Sequence, residues 1–280
     1  MSEILIIGSK GTLGSYLTQF FSSSCTVRAF NDRFSGKHSH TNKLAEFIQE
    51  HSIQTVINCV GATDVNRCQE NRDYAYSGNT LVPEIVAKIQ EESTQKFLTI
   101  NFSTDQVYPG TGDALETQTA PINVYGSSKL AGETLLSNNA CNLRINYVSK
   151  GKNRTSFSDW VVHTAQNQDR VTLYNDIYFN PLDIKTLAKC VKHVVNNQII
   201  GTYNLGGLSK LSKAEFYTLL THKMGIENPN TKLESYSSSN TIPRPLDMSM
   251  NVSKSLQHGF ILPTISNMLD SLSKEYTDAN

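Results

Sequence analysis

Tyr125 and Lys129 stand four residues apart in Tyr-Gly-Ser-Ser-Lys, at the opening of a helical pattern. That spacing sets the two side chains one above the other on a single helix face. An ammonium fixed beside a phenol favours the phenolate. Just upstream, Phe97-Leu-Thr-Ile-Asn-Phe102 is an apolar run of the kind that forms a buried parallel strand, and it ends in Ser103-Thr104-Asp105. A hydroxyl at that strand end and a phenol on the following helix can share one carbonyl oxygen. Together these are the parts of a proton donor for carbonyl reduction. A Tyr and a Lys four apart are also common on solvated helices, so the elements that carry them decide the reading.

The N-terminal run Glu3-Ile-Leu-Ile-Ile7 predicts a buried strand, followed at once by Gly8-Ser-Lys10-Gly11-Thr12-Leu13-Gly14 and a helical pattern. Gly8 permits the sharp turn, Gly11 lets backbone amides approach a pyrophosphate at the helix N-terminus, and Gly14 lets the helix pack on the sheet. Residues 25–30 form a second strand ending in Asn31-Asp32-Arg33. An acid there takes the ribose hydroxyls of NAD, and a nearby Arg holds the 2′-phosphate of NADP. Both are present; Arg33 and Lys10 favour NADPH, with NADH left open. Residues 54–58 form a third strand that runs into Cys59-Val-Gly61-Ala62-Thr63, small residues on which a dinucleotide can lie. Residues 140–146 are the fifth strand. This βαβ alternation predicts an α/β Rossmann fold, a doubly wound parallel sheet with its ligand crevice at the strand C-terminal ends. Gly8, Thr63, Thr104 and Tyr125 all fall at that rim.

The remaining pattern predicts a short helix over 44–51 and a largely helical 64–90 interrupted around Ser77-Gly-Asn79. Asn79 is either a kink or a polar contact. His38-Ser-His40 reads as a loop without metal chemistry, since no carboxylate or cysteine cluster joins it. Helices are predicted over 156–168 (with the only tryptophan, Trp160), 183–196 (capped by Asp183), 213–224 and 263–276. Extended segments are predicted at 171–174, 176–181 and 201–206, and 235–240 is a polar run. The expected division is a dinucleotide-binding domain at 1–150, completed by segments near 176–206. A substrate-binding lobe would take 151–175 and 207–280. The 280 residues carry 25 basic and 25 acidic side chains, which gives no electrostatic reason for a nucleic-acid or anionic-membrane partner. Five scattered cysteines without a C-x-x-C pattern fit reduced thiols in a cytoplasm. No apolar run approaches the roughly 18 residues of a spanning helix.

With these residues in place, the chain resembles an extended short-chain dehydrogenase/reductase, and more narrowly the dTDP-4-dehydrorhamnose reductase family. Ser103-Thr-Asp-Gln-Val-Tyr-Pro-Gly110 is similar to the family's S-T-D-Y-V-F-x-G. Pro121-Ile-Asn-Val-Tyr-Gly-Ser-Ser-Lys-Leu-Ala-Gly-Glu133 is similar to its P-x-N-x-Y-G-x-[ST]-K-x-x-G-E, and Arg244-Pro-Leu-Asp-Met-Ser followed by Ser253-Lys254 resembles its R-P-x-x-S-x-L-x-x-x-K. The resemblance implies NAD(P)H-dependent reduction of the 4-keto group of a dTDP- or UDP-linked 6-deoxy sugar, in surface polysaccharide precursor synthesis. Tyr125 would give the proton, Lys129 would hold the nicotinamide ribose and Thr104 would bond the substrate oxygen. Asp105, Tyr147 and Arg244 would contact substrate. Tyr147 replaces the family's usual Trp, and the segment after strand three lacks its small-His-Thr. Asp105-Gln106 lacks the Asp-Glu pair of the related 4,6-dehydratases. The same residues also suit a sugar-nucleotide epimerase. A non-catalytic dinucleotide-binding relative, the regulatory β subunit of methionine adenosyltransferase, is the alternative of another class. A homodimer is compatible with the resemblance.

Overall fold

The computed structural model describes residues 2–30, 32, 34, 38–136, 139–153, 155–236 and 242–278, with backbone only for 38–40. Arg33 and most of the polar run at 235–240 lie outside the described residues. The chain divides into two compact units. One comprises Met1–Val107, Ala120–Arg144 and Val191–Tyr203; the other comprises Tyr108–Thr119, Ile145–Cys190 and Asn204–Asn280.

The first unit is built on a sheet of β1 (Glu3–Ile7), β2 (Thr26–Phe30), β3 (Thr55–Asn58), β4 (Leu98–Thr104), β5 (Ala140–Ile145) and β6 (Gly201–Leu205), in the order β6-β5-β4-β3-β1-β2. β1 runs parallel to both β2 and β3, and β3 parallel to β4. Every residue of β3, β4 and β5 is buried, as a parallel sheet covered on both faces requires. The covering helices are α1 (Thr12–Phe21), α2 (His38–Glu50), α3 (Val65–Glu70), α4 (Arg72–Asn79), α5 (Leu81–Glu92) and α6 (Val124–Leu135). Leu5, Ile7 and Val56 of the strands pack with Leu44 and Ile48 of α2 and Val82 and Val86 of α5. Each such side chain, fully buried, contributes about 1.5–3 kcal/mol. The strand order reverses between β1 and β3, which makes that edge the switch point where open α/β sheets bind ligands.

A polar seam crosses this apolar sheet. Asn58 on β3 donates to Asn101 on β4 (2.9 Å), which donates to Asn142 on β5 (3.0 Å). Asn58 also accepts from the amide of Val60 at 3.1 Å, so the seam reaches the loop beyond β3. All three asparagines are buried, and their mutual bonds remove the cost of desolvating the amides.

Three local expectations are corrected. The 38–40 segment, read as a loop, is the first turn of α2; no glycine or proline interrupts 38–50, so the helix extends back from its buried Leu44 and Ile48. The helical stretch after β3 breaks at Thr80, directly after the expected interruption around 77–79, and also at Asn71, where the Asn71 side chain accepts from the Tyr74 amide and starts a new helix. Gly78 stays inside α4, where an added Cβ would lie 2.5 Å from that of Ala62. β4 runs on through Ser103 and Thr104, which takes the hydroxyls to the end of the strand itself.

The second unit is assembled from separated segments. Val148, Val161, Leu173, Phe179, Phe216, Leu220 and Leu272 form its core. Its strands are short: Val171–Tyr174 pairs with Thr231–Glu234 in parallel, and Tyr178–Phe179 with Leu211–Ser212 antiparallel. Two buried asparagines tie distant backbone together. Asn204 accepts from the Tyr108 hydroxyl at 2.5 Å and donates to the carbonyls of Ala114 (2.9 Å) and Asn251 (3.0 Å). Asn180 donates to Gly207 and Met250 carbonyls and accepts from the Met250 amide at 3.0 Å. Asp183 caps the helix Ile184–Asn197 by accepting from the Thr186 amide at 3.0 Å, as expected from its position. Among the described residues, no helix is long and apolar enough to cross a membrane.

One of the tight fits in the first unit is testable. A Cβ on Gly14 would collide with the carbonyl oxygen of Gly8. Gly14→Ala is expected to cost about 1–3 kcal/mol, seen as a lowered urea midpoint. An unchanged midpoint would mean that the turn moves aside without cost.

Candidate active site

The glycine turn follows β1 directly. Gly8 has φ +84°, a left-handed conformation that a residue with a side chain adopts only with strain. A Cβ there would also press on Cys59 and Val60 backbone at 3.1 Å, so the turns after β1 and β3 lie against each other. Gly11 is the N-cap of α1, and no side chain caps the helix. A Cβ on Gly11 would meet nothing nearer than 3.5 Å. A helix N-terminus without a side-chain cap, begun by a glycine, fits an anion on the amides of Thr12, Leu13 and Gly14. Those residues fit the pyrophosphate of a dinucleotide, which would lie over the switch point. Lys10 is exposed beside the turn, and Asp32, beyond β2, accepts from Lys43 at 2.5 Å.

Across the sheet, α6 packs on β4 and on the single turn Asp105–Val107 that follows it. The packing is fixed at the helix start by Asn123. Its Oδ1 accepts from the Gly126 amide (2.8 Å) and its Nδ2 donates to Gln106 Oε1 (3.0 Å). Tyr125 and Lys129 are therefore set on a helix whose first turn is pinned to the end of β4. Both are buried, at 8% and 6% exposure. The Lys129 ammonium donates to the Phe102 carbonyl at 3.1 Å, and a Cβ on Gly61 would lie 3.1 Å from Nζ. Burial pulls the Lys129 ammonium down to about 8, opposed by the negative charge of Glu133. Thr104 is buried; its hydroxyl donates to Asp105 Oδ1 at 2.9 Å and accepts from the Gln106 amide at 3.2 Å. To bond a substrate oxygen, that hydroxyl must turn away from Asp105.

One unit thus contains Gly8 to Gly14, Asp32, Gly61, Ala62, Thr63, Thr104, Asp105, Tyr125 and Lys129. Tyr147, half-buried in the strand Tyr147–Val148, and Arg244, exposed, belong to the other. Sequence reasoning left Asn79 open between a kink and a polar contact. It is no kink: its carboxamide accepts from the Ala62 amide (2.9 Å) and donates to the Ala62 carbonyl (3.0 Å) and Ser128 Oγ (2.9 Å). This clamps the segment after β3 to the helix of Tyr125 and Lys129. Its burial at the end of α4 is a tertiary fact with no local signal. Asn123 did have one, standing as an N-cap two residues before Tyr125. Among the described residues, no group of three His, Cys, Asp or Glu side chains is placed to hold a metal ion.

A doubly wound sheet with a glycine turn at its switch point and a buried Tyr-x-x-x-Lys helix beside it defines a protein of the extended short-chain dehydrogenase/reductase class. The family model described as RmlD substrate binding domain matches residues 1–277, and the chain belongs to that family. Among curated proteins it is similar to the dTDP-4-dehydrorhamnose reductase of Salmonella typhimurium, 29% identical over 217 residues, 72% of each chain. Among solved structures it is similar to dTDP-4-dehydrorhamnose reductase from Bacillus anthracis in complex with NADP (TM-score 0.87, 20% identity, 99% of each chain). The enzyme of the same name from Yersinia enterocolitica matches with TM-score 0.84 at 18% identity, over 99% of this chain and 100% of that one. At these identities the structural matches establish the fold.

The buried ammonium makes stability depend on pH. Lys129 titrates at about 8 in the folded protein against the usual 10.5. Between those values the unfolded chain binds the extra proton. This site's stabilisation is present in full above pH 10.5 and is lost as the pH falls through about 8. In urea unfolding across that window, the wild type is expected to gain on Lys129→Met as the pH rises. Parallel curves would mean that the ammonium ionises as it does in water.

Proposed function

We propose that this protein reduces the 4-keto group of a nucleotide-linked 6-deoxy sugar with NADPH or NADH. The observation that carries the reading is the environment of Lys129. It is an ammonium buried beneath the backbone at Gly61 and bonded to the end of β4, with Tyr125 one turn before it on the same helix. The relatives' names support the substrate class, and the NADP in the Bacillus anthracis structure supports the cofactor.

In this reading the first unit takes the dinucleotide and the second contributes to holding the substrate. The amides of Thr12, Leu13 and Gly14 hold the pyrophosphate, with Lys10 beside them. Asp32 is assigned to the adenine ribose, and Arg33, from its place in the sequence alone, to the 2′-phosphate. Gly61, Ala62 and Thr63 lie alongside, and Lys129 bonds the second ribose. The reduced nicotinamide supplies, when bound, the hydride that the C4 carbonyl carbon takes up. Tyr125 gives its phenolic proton to the carbonyl oxygen, and the Lys129 ammonium stabilises the phenolate left behind. Thr104, turned from Asp105, donates to the same oxygen and fixes its direction. Asp105, Tyr147 and Arg244 bind the sugar nucleotide, Arg244 on phosphate. A homodimer and a cytoplasmic location complete the proposal.

Loss of NADPH absorbance on addition of dTDP- and UDP-linked 4-keto-6-deoxy sugars tests the reading and identifies the nucleotide. Oxidation with one of them is expected. No oxidation with any, despite tight dinucleotide binding, would overturn it in favour of an epimerase or a binding subunit. Tyr125→Phe removes only the transferred proton, so turnover is expected to fall by about 10²–10⁴-fold while dinucleotide affinity is retained. Undiminished turnover would remove Tyr125 from the role.

A further inference from the structure

Behind Lys129 lies a second charged pair that the reaction scheme does not use. Glu133, four residues on along α6, and Arg144, on β5, are 4% and 5% exposed at their side chains. Arg144 Nε donates to both carboxylate oxygens at 3.1 Å, and a terminal guanidinium nitrogen lies 2.6 Å from Oε2. The backbone of Glu133 is tied in as well, since its carbonyl accepts from Asn142 at 3.4 Å, the far end of the asparagine seam.

A buried ion pair is weak evidence for stability, because apolar side chains of the same volume often serve as well or better. This one has a direction. The carboxylate is on the helix of Lys129 and one turn from it, while the guanidinium approaches from the sheet. The charged or titratable groups acting on the Lys129 ammonium are Glu133 from α6, Cys59 after β3 and Cys68 from α3; the Phe102 carbonyl of β4 accepts from it, and Tyr125 stands one turn before it on α6. Burial pushes both thiols up, so at neutral pH neither supplies a negative charge. Glu133 is left as the principal anion acting on Lys129.

We propose that Glu133, clamped in place by Arg144, is a positioning residue whose carboxylate keeps the buried Lys129 ammonium charged. Its meaning for turnover rests on the reading of Lys129 given above; the electrostatic claim does not. Arg144 acts at one remove. Without it the carboxylate would face the interior unpaired, and would take up a proton or swing away, either of which removes its field from Lys129.

The test follows the Lys129 Cε resonance against pH in ¹³C-lysine-labelled protein without ligand, the signal being identified by its loss in Lys129→Met. The double variant Glu133→Gln with Arg144→Gln removes both charges and leaves amides that can bond across the same gap. It is expected to titrate about one pH unit below the wild type. Arg144→Lys preserves the pair and is expected to titrate with the wild type. Coincident wild-type and double-variant titrations would overturn the proposal. Should the double variant fail to fold, Glu133→Asp keeps the charge but draws it back by one methylene. A downward displacement is expected there too, and none would equally overturn the proposal. In an active enzyme the loss of turnover at high pH moves acidward with the resonance. A displaced resonance in a wild type that reduces no sugar would uphold the role of Glu133 and remove the catalytic reading.

Discussion

A charged amine taken out of water needs acceptors at once, and much of the first unit is arranged around supplying them to Lys129. The Phe102 carbonyl accepts one of its hydrogens, and the Glu133 carboxylate lies one helical turn away. That carbonyl lies near the C-terminal end of a parallel strand. The carboxylate is available because Arg144 holds it in place on the inner side of α6. Take away either arrangement and the amine would hold its proton less tightly. The small residues after β3 have the same origin, since a Cβ at Gly61 would press on the ammonium.

Asparagine is the recurring device for joining what the sequence separates. Asn58, Asn101 and Asn142 link three adjacent strands, Asn79 clamps Ala62 to α6, and Asn123 ties the start of α6 to Gln106. In the second unit, Asn180 and Asn204 gather backbone from segments up to 90 residues apart. A carboxamide both donates and accepts, so one side chain can satisfy two buried backbone groups without introducing charge. Such networks bring specificity when every member is satisfied and are costly when one is not. They hold a loop-built unit and a rim of short turns in single arrangements.

Much of the site was legible from order along the chain. The Gly8 to Gly14 turn, the apolar run ending in Ser103 and Thr104, and the Tyr125–Lys129 pair each carry a local signature of strand end, helix start or helix face. Signals of that kind survive without knowledge of distant contacts. Distant contacts that hold the site in place were not legible, among them those of Asn58, Asn79, Gln106, Asn101, Asn142, Glu133 and Arg144. Asn79 looked as much like a kink as a contact, because nothing near it in sequence names Ala62 and Ser128 as its partners. Gly78 is a weak helix former, kept within α4 by its close approach to Ala62.

The sequence by itself determined the kind of fold and the chemistry on offer. Strand and helix periodicities and the glycine spacing are properties of neighbouring residues, and a Tyr four before a Lys shares a helix face wherever that helix lies. Only the tertiary structure decided which charges the site carries. Burial turns Lys129 from an ordinary amine into one that titrates at about 8, and the Glu133–Arg144 pair holds a counter-charge beside it. Ionisation depends on the solvent excluded and the charges brought near. Both are set by strands that are distant in the chain and adjacent in the sheet.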